Sequence, residues 1–335
     1  MELFDLITVQ SIPQAIKAHA RAATAQQGAN IRFIAGGTNL ADYMKLNVER
    51  PAQLIDISRL PLDQIEETGD GGMKLGALAR NADVATHAAV QAKYPVLSQA
   101  LLAGASPQIR NMATVGGNLL QKTRCMYYRD TAADCNKRNP GSGCSAIAGH
   151  NRMLAVLGTS EHCIATNPSD QNVALMALEA RVHIEGVKGG RDVPIGEFYL
   201  VPGSTPQRET VLEPGDLITY VSLPAPSAGA RATYLKLRDR ASYEFALASA
   251  AVLLKQGASG SIEFVRVALG GVGTKPWRST EAERALLGKA PSQANLQAAA
   301  EAALEQAKPQ SENAFKVELA KRCLVHALHQ VSLAA

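Results

Sequence analysis

The sequence predicts an α+β protein of two units, and three observations carry that prediction. Residues 1–60 alternate helix and strand patterns around a glycine turn, as a small α/β unit does. Residues 61–226 mix further strands and helices around a long stretch rich in Gly, Pro and Cys. Beyond the linker Pro224-Ala-Pro-Ser-Ala-Gly-Ala230, three strand patterns come first and three helix patterns follow, so residues 230–332 read as a separate unit.

Taken in order, Ser11-Ile-Pro-Gln14 is a capping box with proline in the first turn, and it predicts a helix to about Ala23. Ile31 to Ala35 reads as a short buried strand running into Gly36-Gly-Thr-Asn-Leu40 and a helix through Met44; Gln53 to Ile57 is the next strand. Lys74 to Ala77 reads as a strand, and helices follow from Asn81 and over Pro95 to Ala103. Val173 to Leu178 reads as a helix, with strands at Ala180 to Glu185 and Leu217 to Leu223. In the tail, strands at Ala232 to Leu237, Ala246 to Leu254 and Ile262 to Leu269 precede the helices. One helix opens at the capping box Thr280-Glu-Ala-Glu283 and stops at Gly288, one covers Gln293 to Gln306, and one runs from about Glu312 to Val331. In the last, Phe315, Leu319 and Cys323 recur at i, i+4 and i+8, which predicts a buried stripe and makes Cys323 a core residue.

The bulk numbers narrow the class. Hydrophobic residues make up 46% and charged residues 19%, as in ordinary globular proteins, and apolar runs such as Phe245 to Leu254 are too short to span a membrane. Met1-Glu-Leu-Phe-Asp-Leu lacks a basic segment before an apolar one, which by itself predicts a cytoplasmic protein. A net charge of +4 is too small to argue for nucleic acid. Five cysteines in a chain this long favour metal binding or buried thiols over a disulfide framework.

Four of them, Cys125, Cys135, Cys144 and Cys163, fall within 39 residues. Four thiolates on a Gly/Pro-rich loop suit an iron–sulfur cluster or a zinc ion. The spacings C-x9-C, C-x8-C and C-x18-C match neither a ferredoxin run nor a zinc ribbon, so cluster, zinc and unligated thiols all stay open on spacing alone. Residues 121–152 carry six basic side chains and two acids, a local excess that would offset an anionic cluster. His150 and His162 lie beside these cysteines and read as loop histidines.

Two glycine turns flank the loop's start. Ala35-Gly-Gly-Thr-Asn-Leu40 joins a strand to a helix and presents several N–H groups beside a helix N-terminus, which favours phosphate or pyrophosphate. Thr114-Val-Gly-Gly-Asn118 reads as a second such turn, and Asp170 of Pro168-Ser-Asp170 has the chemistry to accept from ribose hydroxyls.

Together with Ser106-Pro-Gln-Ile-Arg-Asn-Met-Ala113 and Lys236-Leu-Arg-Asp-Arg-Ala-Ser-Tyr-Glu-Phe-Ala246, these motifs resemble the FAD-binding medium subunit of the molybdenum hydroxylases, the xanthine dehydrogenase family, over essentially the whole chain. The resemblance implies a two-subdomain FAD-binding domain of the PCMH/VAO type over residues 1–226 and a CO-dehydrogenase-flavoprotein-like domain over 230–332, with a three-stranded antiparallel sheet and a helical bundle. It implies that Phe33, Ile34, Ala35, Gly36, Gly37, Thr38, Asn39 and Leu40 form one wall for FAD. Thr114, Gly117 and Asn118 would form the second, with pyrophosphate held by backbone amides of both turns, and Ala105 would be a further cofactor-binding residue. Asp170 would take the adenosine ribose, and Lys236 would lie near the isoalloxazine ring. About fifty residues separate Asn118 from Asp170, where many members have few, and they hold the four cysteines. That insertion is most similar to the [4Fe-4S]-containing FAD subunit of bacterial periplasmic aldehyde oxidoreductases, which implies that Cys125, Cys135, Cys144 and Cys163 bind a [4Fe-4S] cluster.

The implied partners are a molybdopterin-binding large subunit, a [2Fe-2S] small subunit and an external electron acceptor other than NAD, with no catalytic acid or base in this subunit. The implied location is the periplasm, by co-export with a signal-bearing partner, against the cytoplasm read from the N-terminus. The FAD subunit of 4-hydroxybenzoyl-CoA reductase and a xanthine dehydrogenase complex are alternatives within the family. A zinc-stabilised module with no redox role is the alternative outside it.

Overall fold

Two βαβ crossovers build the first unit. Strands β1 (Asp5–Thr8), β2 (Ile31–Ile34) and β3 (Gln53–Asp56) form a parallel sheet in the order β1-β3-β2, because a helix follows each of the first two and carries the chain back to start the next strand in the same direction. The computed structural model describes residues 1–333. The first helix, Ile12–His19, is capped by Ser11, and Gln14 reaches back to the Gln10 N–H at 2.9 Å. It ends four residues earlier than the sequence predicts, since the chain turns so that the Ala23 N–H donates to the Asn30 side chain at 2.9 Å.

The second sheet holds β4 (Ile65–Glu67), β5 (Met73–Gly76), β6 (Arg181–Gly186), β7 (Gly189–Pro194) and β8 (Leu217–Leu223), all antiparallel in the order β4-β5-β8-β6-β7. The two strands that sequence patterning missed, β4 and β7, are its edges, and both are polar or Gly-rich, as edge strands are. The helix Asp170–Ala177 packs between the helix Pro95–Ala103 and the third sheet, and its side chains join the core that also holds the inner face of the second sheet. Every residue from Gln171 to Ala177 is buried, which explains why it shows no amphipathic stripe.

The third sheet has the three predicted strands, β9 (Arg231–Leu237), β10 (Ala248–Gln256) and β11 (Ile262–Gly270), and a fourth, two-residue strand β12 (Trp277–Arg278), antiparallel in the order β12-β11-β10-β9. Helices Thr280–Leu286, Gln293–Leu304 and Phe315–Leu333 cover one face. Two expectations are corrected here. Ser279, not Thr280, caps the first of these helices, accepting from the Ala282 N–H at 3.2 Å. Phe315 is not part of the buried stripe: it is 39% exposed, beneath the Arg152 guanidinium, while Ala320, Cys323, Leu324, Ala327, Leu328 and Val331 face the sheet.

Lys316 of the last helix is fully buried, and its ammonium donates to the carbonyls of Met153 (3.0 Å), Leu154 (2.9 Å) and Gly271 (2.6 Å). Three acceptors match the three N–H bonds of an ammonium, while burial, with the Arg152 charge, lowers its pKa to about 7.

His19 joins the first unit to the second. Its Nδ1 accepts from the Gly215 N–H at 3.0 Å, and its ring lies 4.3 Å from that of Phe33. Burial, with the Arg32 charge, lowers its pKa from 6.5 to about 4. The unfolded chain therefore takes up this proton first as pH falls. The contribution is complete above pH 6.5 and is lost down to about pH 4, a difference of about 3 kcal/mol at roughly 1.4 kcal/mol per unit. Denaturant titrations between pH 7.5 and 4.5 are expected to show that slope, and His19→Gln is expected to flatten it.

Candidate functional site

A cavity of about 750 Å³ opens between the first unit, the second unit and β9, within the size range of cofactor sites. Its first wall is the segment after β2. A Cβ at Gly36 would lie 1.9 Å from the Met112 carbonyl oxygen, and Gly37 has φ of +70°, so the close turn requires both glycines. Among the described residues, the amides of Gly36, Gly37, Thr38, Asn39 and Leu40 find no acceptor. The Asn39 side chain does not cap the helix Leu40–Lys45; its Oδ1 accepts from the Lys122 N–H at 3.0 Å, and its Nδ2 is buried without a partner. Successive unpaired amides facing a cavity form an anion cradle. The walls suit an extended dinucleotide: an anion cradle, apolar surface at Phe33 and Ile34, and polar groups at Asp170 and Lys236.

The second glycine motif differs from expectation. Val115–Leu119 is a short helix with Thr114 as N-cap, and its amides are already used. Val115 N–H donates to Ala79 O, Gly116 N–H to Ala77 O, and Gly117 N–H to Thr114 Oγ1 at 3.2 Å. Gly116 is there for packing, since a Cβ would sit 3.1 Å from that of Ala77. The two motifs are thus not equivalent cradles: the first offers amides, and the second offers close approach at Gly117 and the side-chain amide of Asn118.

Asn118 also closes the insertion. Its Oδ1 accepts from Ser169 Oγ at 2.7 Å, while Ser169 caps the helix Asp170–Ala177 by accepting from the Asn172 N–H. The fifty-residue excursion therefore leaves and re-enters at one point.

Asp170 is the first residue of that helix. One oxygen accepts from Tyr234 Oη at 2.5 Å and the other from Lys236 Nζ at 2.8 Å, with Lys236 also donating to Ala103 O at 3.1 Å. Burial, with the neighbouring carboxylate, holds the Tyr234 hydroxyl well above its usual pKa. The resemblance implies opposite ends of FAD for Asp170 and Lys236; the ion pair puts both at one point of the wall. Tyr234 was missed, although it lies two residues before Lys236 on β9 and so on the same face. Ala105 sits beside this pair with φ of +50°, a strained backbone for a residue with a Cβ.

The insertion gathers its four thiols. Cys125, Cys135, Cys144 and Cys163 all line one small cavity with Tyr128, Lys137 and His162, and none is in a disulfide. Burial raises the pKa of Cys125 to about 12 and pushes Cys144 and Cys163 up as well, so metal binding here must release protons. No group of three or more His, Cys, Asp or Glu among the described residues is arranged to hold a metal ion. His150 points away, to Glu312 at 3.1 Å, and Cys323 lies in the core. The basic excess is largely consumed by acids outside the loop. Arg129 pairs with Asp42, Arg152 with Asp239, and Lys122 and Lys137 with Glu209. Of the six, only Lys137 lines the thiol cavity.

The two cavities are adjacent. Tyr43 lines the large one, and its ring meets that of Tyr128 edge-on at 5.4 Å. Arg124 lies over Tyr43 (5.5 Å) and Phe245 (5.2 Å).

Residues 3–226 match the family described as the FAD binding domain in molybdopterin dehydrogenase, and residues 232–331 match the CO dehydrogenase flavoprotein C-terminal domain. The chain is 50% identical over 308 residues to the aldehyde oxidoreductase FAD-binding subunit PaoB of Escherichia coli K12, covering 92% of this chain and 93% of that one. It is 28% identical over 286 residues to the glyceraldehyde dehydrogenase medium chain of Sulfolobus acidocaldarius, covering 85% and 82%. Among solved structures, carbon monoxide dehydrogenase from Hydrogenophaga pseudoflava superposes with a TM-score of 0.76 at 27% identity, over 98% of this chain and 97% of that one.

Because the Gly36 position admits no side chain, Gly36→Ala must displace the 35–40 segment. Flavin absorbance per purified chain is expected to fall at least about tenfold, the loss of roughly 1.4 kcal/mol or more of binding, with the far-ultraviolet circular dichroism unchanged.

Proposed function

The chain belongs to the family of FAD-binding subunits of the molybdopterin dehydrogenases, and from that premise we propose that it is the FAD and [4Fe-4S] subunit of a heterotrimeric, molybdenum-dependent aldehyde oxidoreductase. The observation that carries the reading is the 50% identity to an aldehyde oxidoreductase FAD-binding subunit over nearly the full length of both chains. FAD, when bound, takes up electrons singly and releases them in pairs to an external acceptor. A molybdopterin-binding large subunit oxidises the aldehyde, and a [2Fe-2S] small subunit delivers the electrons. No side chain of this subunit acts as acid or base on the aldehyde.

The residues have separate tasks. The amides of Gly36 to Leu40 hold the pyrophosphate, supported by their lack of any other acceptor. Phe33, Ile34 and Ala35 supply the adjoining wall, Thr114, Gly117 and Asn118 the facing one, and Ala105 shapes the backbone beside Asp170. Asp170 and Lys236 act together on one polar portion of the cofactor. The FAD-binding domain spans 1–226 and the tail domain 230–332.

Cys125, Cys135, Cys144 and Cys163 hold the [4Fe-4S] cluster, supported by their convergence on one cavity. A tetrahedral zinc ion would draw four sulfurs to about 3.8 Å from one another at a Zn–S length of about 2.3 Å. A cubane, with an iron at each thiolate, spreads the sulfurs more widely. Among the described residues no helix is long and apolar enough to cross a membrane. The periplasm, reached by co-export with a signal-bearing partner, is the proposed location.

The purified complex is expected to release FAD on extraction and to contain about four iron and four acid-labile sulfide beyond those of the [2Fe-2S] subunit, the content of one cubane. Cys135→Ser is expected to remove that iron and leave the FAD. One zinc per chain and no flavin overturns the reading.

A further inference from the structure

A single carboxylate lies between the two cavities. Glu209 Oε1 accepts from Lys137 Nζ at 2.9 Å, and Oε2 accepts from Lys122 Nζ. Lys122 lines the large cavity and Lys137 the thiol cavity. A third cavity, of about 80 Å³, is lined by Lys122, Glu209, Lys137 and Cys163 together. The triad is built in from several sides. Lys137 Nζ also donates to Pro206 O at 2.9 Å, and the Glu209 N–H donates to Gln26 Oε1 at 3.1 Å. Burial would raise the Glu209 carboxyl, but the two lysines hold it down at about 2. The nearest other charges are committed elsewhere: Arg32 pairs with Glu49 at 2.9 Å, and Arg208 pairs with Glu213.

We propose that Glu209 is a positioning residue that sets the reduction potentials on both sides of it, by fixing one ammonium at each cavity wall and cancelling one of their two charges. The proposal rests on the reading that the large cavity holds FAD and the thiol cavity an iron–sulfur cluster. Reduction adds negative charge to either group, so a nearby positive charge favours it and a negative one opposes it. With water largely excluded, such charges are weakly screened. Cluster potentials follow net charge and the polar groups around the sulfurs. As found, the triad carries a net charge of +1. Glu209→Gln keeps the shape and raises that charge to +2, so both groups become easier to reduce. Lys137→Met lowers it to zero at the thiol wall, and Lys122→Met does so at the flavin wall. Each should therefore act more on its own side.

The test is an anaerobic redox titration of the purified complex, with the cluster followed by EPR and the flavin by visible absorbance. In Glu209→Gln the cluster's reduction constant is expected to rise about tenfold, about 59 mV for one electron. In Lys137→Met it is expected to fall by a similar factor, with a smaller change at the flavin; Lys122→Met is expected to reverse that ranking. Glu301→Gln, an exposed site (67%), is expected to move neither. Unchanged potentials in Glu209→Gln and Lys137→Met, at full iron and flavin content, overturn the proposal while leaving the functional reading intact. An unsubstituted complex without flavin, or with no iron beyond that of the [2Fe-2S] subunit, overturns both. Should Glu209→Gln not fold, the two lysine variants decide: equal shifts at the two centres overturn the proposal, and side-specific shifts uphold it.

Discussion

The ion pair of Asp170 with Lys236 is the contact on which the site's architecture turns. It is almost fully buried, with the side chains 9% and 4% exposed. Breaking such a pair from one side costs about 3–5 kcal/mol, because the remaining charge is stranded. Three pieces of chain meet there: the end of the cysteine insertion, the start of the buried helix Asp170–Ala177, and the first strand of the tail unit. The tail therefore completes a wall of the large cavity and is not an appendage to it. The carboxylate can be buried at all because Tyr234 and Lys236 satisfy both its oxygens, and Gly104 leaves room: a Cβ there would come within 3.2 Å of Oδ2.

Where local pattern and tertiary packing agree, the sequence was a good guide. Pro95–Ala103 and Leu217–Leu223 have the predicted bounds, because proline opens the first and alternating apolar residues define the second. The tail's strands and helices were legible for the same reason. Elements held by distant contacts were not. Short helices such as Met126–Arg129 and Ser145–Ala148 have no sequence period of their own. They sit where the cysteine-lined core of Tyr43, Tyr128 and Leu154 puts them.

The candidate site divides along the same line. Chemistry that one segment expresses alone, as in Gly36-Gly37, can be read from the segment. Chemistry that depends on what the backbone already bonds cannot: Thr114 to Asn118 looks like the first motif, yet Ala77, Ala79 and Thr114 itself occupy its amides. Glu209 carries no local signal of any kind. Its role arises only because Lys122 and Lys137, 15 residues apart in sequence, converge on it from two sides.

Lys316 ties the cysteine-rich excursion to the tail unit. Its amine seats the carbonyls of Met153 and Leu154, in the later part of the cysteine-rich excursion, from the helix Phe315–Leu333. Leu154 shares a buried cluster with Cys125, Cys135 and Cys163, so the tail helix braces the core around the thiol cavity. A disturbance of the helix Phe315–Leu333 is thereby felt in the frame of the four thiols, although none of them lies on it.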